Sequence, residues 1–261
     1  MGRSDQDDNC GEVLVNSHPV SRPGSDADDR ASDFAERLRT AFEDCLEMDG
    51  PLAERLSAYA AASRDIYPAY ALAVDKLVER VEENGGGRSA PAPGQTMPPF
   101  ILPDETGRFV ELEALLADGP VAIMFHRGHW CPYCRMSVDA LVRSREELRS
   151  TGGQVIVITP ERQQYAKRFK SDSRLPFPIL IDLDNGYALS LGLAIWLGLD
   201  IQQLLSHRDL PDFHGSNAWV VPIPATFIVG TDAVVKARFI DPDFRHRMEI
   251  DSLLSALRSA R

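Results

Sequence analysis

Between residues 120 and 182 the chain alternates strand-length apolar runs with helical patterns, and this alternation limits the fold more than any other feature. The runs are PVAIMFH at 120–126, QVIVIT at 154–159 and FPILID at 177–182. Their nearly continuous apolar character suits strands covered on both faces. Helical periodicity occupies about 132–149 and 161–171 between them. A β-α-β-α-β order predicts parallel strands joined by right-handed crossovers, and hence an α/β class. Later, PATFIVGTDAVVKARFI reads as two strands around a GTD turn, and EIDSLLSAL as a closing amphipathic helix. Short strands at 100–103 (FILP) and 109–112 (FVEL) precede this unit, with a DETG turn between them.

The preceding segment has a different composition. Residues 1–30 hold seven acids against three arginines and few large apolar groups, which predicts a disordered acidic tail. From Asp33 an apolar stripe runs through Phe34, Leu38, Phe42 and Cys45, so Cys45 is expected to be buried packing. A second helical stretch covers about 52–84, kinked or divided at Pro68 and ended by NGGG. Residues 31–84 therefore read as a helical region, 85–99 as a Gly- and Pro-rich linker and 100–261 as the α/β domain.

With 39 acids and 28 Lys and Arg the formal charge is −11, which disfavours nucleic acid as a partner because phosphate binding needs a basic face. The N-terminus lacks a basic region followed by an apolar stretch, so no secretory leader is expected. The longest apolar stretch, 187–199, is too short for a bilayer and is interrupted by Gly192 and Gly198. The expected setting is cytoplasmic, without membrane association. Four cysteines are too few for a disulfide scaffold, so paired cysteines here should be chemical.

The pair is in FHRGHWCPYC, 125–134, where a central strand gives way to a helix. Unsatisfied amides and the helix dipole at such a junction favour a thiolate at Cys131, lowering a thiol pKa from ~8.5 to ~3.5–7.5. Cys134, three positions on, is within reach of a disulfide. Pro132 suits the first helical turn, and Arg127, His126 and His129 are candidate positive charges. Zinc would need two more ligands, which adjacent His126 and His129 could hardly supply from one turn, so no metal is expected. A second signal is VPIPATFIV, 221–229, where Pro224 should stand at the start of a strand.

FHRGHWCPYC and VPIPATFIV, with PPFILPDETGRFVELEALL ahead and FIDPDFRHRMEIDSLLSAL behind, resemble the peroxiredoxin-like (alkyl hydroperoxide reductase/thiol-specific antioxidant, AhpC/TSA) redoxins. The resemblance is strong over about 95–261 and looser from about 33. It implies a thioredoxin-like fold, a mixed central sheet flanked by helices, here with an N-terminal helical extension. It also implies a cofactor-free reduction of hydroperoxides in which a cysteine becomes a sulfenic acid, then a disulfide, and is reset by thioredoxin or a similar dithiol. Cys131 and Cys134 would be the redox pair, with Arg127, Trp130 and Pro132 supporting them and Pro224 and Thr226 lining the opposite wall. The family motif Pro-x-x-x-Thr-x-x-Cys falls with its threonine on Cys131, its cysteine on Cys134 and its proline on Arg127. The family arginine near the Thr-Phe strand corresponds to Pro224. The buried aspartate of thioredoxins corresponds to Phe125. Register with the family names Cys134 as the cysteine that meets peroxide, whereas thioredoxin logic and an exposed first position name Cys131.

Three functions are compatible with this reading: a thiol peroxidase, a thiol–disulfide oxidoreductase, and a non-catalytic adaptor. The helices of 31–84 could pack on the redoxin part, form a homodimer interface or recruit a partner. LAIWLGLDIQQLL, 193–205, suggests a helix that packs in the core or covers the cleft. The DPDFRHR segment, 241–247, has no evident chemical role.

Overall fold

The computed structural model describes residues 25–206 and 210–260, with side chains from Phe34 onward. The centre is a five-stranded sheet of order β5-β4-β3-β8-β9, made of β3 (Val121–Phe125), β4 (Gln154–Thr159), β5 (Ile179–Ile181), β8 (Ala225–Val229) and β9 (Val235–Ile240). β3, β4 and β5 are parallel, while β8 runs antiparallel to β3 and β9 to β8. Every residue of β3, β5 and β8 is buried, the consequence of covering both faces of an apolar strand. The crossovers are α5 (Pro132–Arg143) with α6 (Arg145–Ser150), and α7 (Gln163–Ser173). α11 (Ile250–Ser259) packs on β3 and β8. The thioredoxin-like α/β architecture expected from the sequence is present.

Strand direction determines which segments can meet. Parallel β3 and β4 bring the residues after them, 126–131 and 160–162, to one sheet edge. The antiparallel strands bring the entry to β8 and the exit from β9 to the same edge, since Phe125 pairs with Ala225 and Ala225 with Ile240. Sites in open α/β sheets form at such carboxyl ends.

Two smaller sheets flank this core. β1 (Ile101–Pro103) and β2 (Phe109–Glu111) form a hairpin leading into α4 (Leu112–Ala117). β6 (Ala194–Trp196) pairs antiparallel with β7 (Val220–Pro222). Between them lie α9 (Leu199–Leu204) and α10 (Leu210–His214), and α8 (Gly186–Ser190) comes before β6. The helix expected over 193–205 is thus a strand followed by a short helix, because Gly198 at φ +88° breaks the run and the Leu197 amide donates to Trp219 O. Leu193, Leu197, Ile201 and Leu205 of this stretch are buried in the core, while Trp196 and Leu199 are exposed.

α1 (Ser25–Glu47), α2 (Leu52–Ile66) and α3 (Pro68–Glu83) form the N-terminal region, with Pro68 opening α3 rather than kinking one helix. Residues 25–30 of the expected tail belong to α1, and 1–24 lie outside the described residues. These helices pack on the sheet domain, α1 and α2 against α5 and α3 against α9. The buried Arg55 guanidinium donates to Asp139 on α5 at 2.6 Å and to Cys45 O at 3.0 Å. Glu249 accepts from the Leu52 and Ala53 amides at 3.1 and 2.6 Å, satisfying donors that a helix start leaves open. Cys45 is buried.

The 85–99 segment is not a loose connector. Gly94 and Met97 donate to Val235 O and Ala233 O, each at 2.8 Å, so the segment adds to the β8–β9 hairpin. Ala90 and Met97 are buried. A Cβ on Gly86 would stand 2.4 Å from a Val81 methyl, so the glycines here permit close packing rather than flexibility. No helix among the described residues is long and apolar enough to cross a membrane.

Candidate active site

Cys131 is the N-cap of α5, Pro132 opens the helix, and Cys134 lies in its first turn. Neither sulfur is exposed: Cys131 is 1% accessible and Cys134 0%. The exposed first sulfur expected from thioredoxin logic is therefore not found. The Arg127 amide donates to Cys134 Sγ at 3.3 Å, and the Arg247 guanidinium reaches it through Nη2 at 3.7 Å. The Cys131 thiol also hydrogen-bonds to Cys134, and both cysteines are free.

These donors divide the charge between the pair. Burial pushes the Cys131 thiol well up, and its hydrogen bond to Cys134 adds to this. Burial would also raise Cys134, but the Cys131 hydrogen bond, the Arg247 charge and the Arg127 amide outweigh it and hold Cys134 well below the ordinary thiol range. The donors favour the second cysteine for the thiolate, the reverse of the expectation for the N-cap sulfur. The reason is that the donors converge on the first-turn position, while Cys131 keeps its proton and donates it in a hydrogen bond to Cys134.

Arg127 is buried with its guanidinium 4.0 Å from the Phe244 ring centroid and 4.8 Å from that of Trp130. It supports the site through its amide, through these cation–π contacts and through its charge near Cys131. Trp130 Nε1 donates to Arg127 O at 2.9 Å and to His214 Nε2 at 3.2 Å. Pro224 directly precedes β8, and Thr226, opposite Met124 of β3, is buried in it. His126 is buried, and desolvation together with Arg247 brings its pKa down to about 4. It is neutral at pH 7 rather than the positive charge the sequence suggested. His129 lies against Phe169 and 3.3 Å from Asp172.

Two participants were not foreseen. Arg247 ends the DPDFRHR segment and is anchored by donating to Phe244 O and, at 2.7 Å, to His246 O. Glu161, fully buried after β4, accepts from the His129 amide at 2.9 Å through either carboxylate oxygen, clamping the loop that carries Cys131. Gly128, at φ +128°, makes room: a Cβ there would stand 2.4 Å from the Glu161 carboxyl carbon. A signal existed for Glu161, an acid just past a core strand; for Arg247 there was only a distinctive segment.

Burial, reinforced by the Cys134 charge, lifts Glu161 to about 8 against the pull of the His129 amide. Because the folded pKa is the higher one, its stabilising share is complete below the ordinary value of 4.5 and is lost as pH rises to about 8. Glu161→Gln is expected to flatten the fall in unfolding free energy across that window by roughly 3–5 kcal/mol. Urea titrations at pH 5 and pH 8.5 measure it; parallel curves for both proteins would refute the assignment.

The AhpC/TSA family model matches residues 93–238, more than half of the chain. The chain belongs to the AhpC/TSA family. Peroxiredoxin Q of Sedum lineare is 33% identical over 92 residues, 35% of this chain and 49% of that one, so the chain spans about half of that relative. The crystal structure of peroxidoxin BcpB from Mycobacterium tuberculosis superposes with a TM-score of 0.52 at 23% identity, covering 66% of this chain and 99% of that one. Thiol-disulfide oxidoreductase ResA of Bacillus subtilis is 23% identical over 150 residues, 57% of this chain and 68% of that protein.

Proposed function

We propose that the protein is a thiol-dependent peroxidase of peroxiredoxin type in which Cys134 attacks the hydroperoxide and Cys131 resolves it. The observation that carries this reading is the buried Cys134 sulfur under the Arg127 amide, the Arg247 guanidinium and the Cys131 thiol. The Cys134 thiolate attacks the terminal oxygen of ROOH; an S–O bond forms, the O–O bond breaks and RO⁻ leaves. RO⁻ takes the Cys131 proton to become ROH. The Cys131 thiolate then displaces hydroxide from the Cys134 sulfenic acid, closing the disulfide. A dithiol donor of thioredoxin type resets it by attacking Cys131, because Cys134 is the better-stabilised leaving thiolate.

Disulfide exchange with protein substrates is the second reading, favoured by the Cys-x-x-Cys spacing and the ResA similarity. The donors gathered on Cys134 argue against it, since disulfide exchange in the thioredoxin order would place the stabilised thiolate on the first cysteine. With a thioredoxin, its reductase and NADPH, the protein is expected to consume NADPH in proportion to added hydrogen peroxide. It is expected to precipitate insulin with dithiothreitol no faster than background. The reverse pattern selects disulfide exchange, and failure of both assays with an unchanged cellular role for Cys131→Ser selects the adaptor.

A further inference from the structure

Glu161 lies beneath the loop that leads to Cys131 and forms no ion pair among the described residues. Its carboxyl oxygens meet the His129 amide at 2.9 Å, the Trp130 amide and, at 3.5 Å, the Thr159 hydroxyl. It is wholly enclosed. From α5 it faces the charge of Cys134, which disfavours its own ionised form. The other charged and titratable groups around it are engaged elsewhere. The His129 ring meets Asp172, Arg162 pairs with Asp212, and Arg127 lies between the Phe244 and Trp130 rings. Arg247 and the neutral His126 face Cys134.

When the Cys131 thiolate displaces hydroxide from the Cys134 sulfenic acid, the S–S bond forms, the S–O bond breaks, and the hydroxide needs a proton within a buried site. The Cys131 proton has already gone to RO⁻. Arginine side chains do not give up protons in proteins. His126, brought down to about 4, has none to release at pH 7, whereas Glu161, lifted to about 8, has one. Closing the disulfide also removes the Cys134 charge, one of the causes that keep Glu161 protonated, so the carboxyl becomes a stronger acid as the hydroxide appears. Resting on the peroxidase reading above, we propose that Glu161 is the proton reservoir of the cycle: a neutral carboxyl while Cys134 is a thiolate, and a carboxylate once the disulfide has closed, its proton having left with the hydroxide as water. The sum balances in transferable protons and in charge: ROOH, the Cys131 thiol, the Cys134 thiolate and the Glu161 carboxyl give ROH, water, the disulfide and the Glu161 carboxylate. On reduction the two thiol protons of the dithiol donor return to Cys131 and Glu161.

The reduction potential reads this proton directly. Reducing the disulfide to a Cys131 thiol, a Cys134 thiolate and a neutral Glu161 takes two protons for two electrons, whereas in Glu161→Gln it takes one. Titrated against dithiothreitol around pH 7, the midpoint potential of the wild-type protein is therefore expected to fall about twice as steeply with pH as that of Glu161→Gln. Infrared difference spectra between the reduced and disulfide forms are expected to show a protonated carboxyl band that is lost on oxidation of the wild type and absent from Glu161→Gln. A carboxyl that only clamps the loop would change neither readout. Equal slopes in the two proteins, or a wild-type spectrum with no loss of a carboxyl band, would overturn the proposal. If melting curves show that Glu161→Gln has lost its fold, the wild-type protein decides: one proton per two electrons, or an unchanged carboxyl band, refutes it. Neither readout needs turnover of peroxide. The steeper wild-type slope with no consumption of NADPH on adding hydroperoxide would defeat the peroxidase reading and leave the coupling of Glu161 to the disulfide standing.

Discussion

Cys134→Ser is expected to lower the rate of hydroperoxide reduction by at least about 10³-fold, as removal of an attacking nucleophile does. Cys131→Ser is expected to behave differently: it should consume one equivalent of peroxide rapidly and stop, with a sulfenic acid persisting on Cys134. The difference follows from the division of charge in the pair. Cys134 is held as the thiolate by the Arg127 amide, Arg247 and the Cys131 thiol, while Cys131 keeps its proton in an apolar setting. Without Cys134 the remaining thiol has lost the neighbour it bonded to and stays buried. Cys131→Thr, which places the family's threonine at this position, should match Cys131→Ser. Single-turnover stopped-flow and a mass-tagged sulfenic acid reagent measure both outcomes. A sulfenic acid on Cys131 in the Cys134→Ser protein, with Cys131→Ser inert, would restore the thioredoxin order.

Arg247→Met is expected to reduce the rate of the peroxide step about 10²-fold at neutral pH, the scale on which removing one charged donor from a reacting centre acts. Nη2 lies 3.7 Å from Cys134 Sγ, and the guanidinium meets no carboxylate among the described residues, so its charge is directed at sulfur. Losing it lifts the Cys134 thiol toward the range that burial alone would impose, so less thiolate is present at pH 7. The midpoint of iodoacetamide alkylation against pH should therefore move upward, and the rate deficit should shrink as pH is raised. Arg247→Lys keeps the charge but not the planar fork that also holds Phe244 O and His246 O, and should recover only part of the rate. An unmoved alkylation midpoint would reduce Arg247 to a structural anchor.

Much of this molecule follows from local pattern. The runs at 120–126, 154–159 and 177–182 became β3, β4 and β5 in parallel, because a strand apolar on both sides is stable only inside an α/β sheet. The Cys-x-x-Cys at a strand-to-helix junction was recognisable from spacing alone as two sulfurs close enough to interact. Single helices were less secure: 132–149 is broken at Ser144, and 193–205 is half strand, because the choice depended on partners in β7 that lie far along the chain. The Gly- and Pro-rich 85–99 segment showed the same dependence, since its backbone is fixed by a hairpin more than a hundred residues later.

What the sequence determined by itself was the sheet, its order of crossovers and the two sulfurs at its edge. Which sulfur carries the charge was decided only in three dimensions, where β9 delivers Arg247 to Cys134 from 113 residues away and β4 delivers Glu161 beneath the loop. The same holds for the helices ahead of the redoxin domain, whose apolar stripe was legible while their packing against α5 was not. The physical reason is one of range. Periodicity and capping act within a few turns of chain, whereas thiol ionisation depends on whatever charges and donors packing brings within a few ångströms.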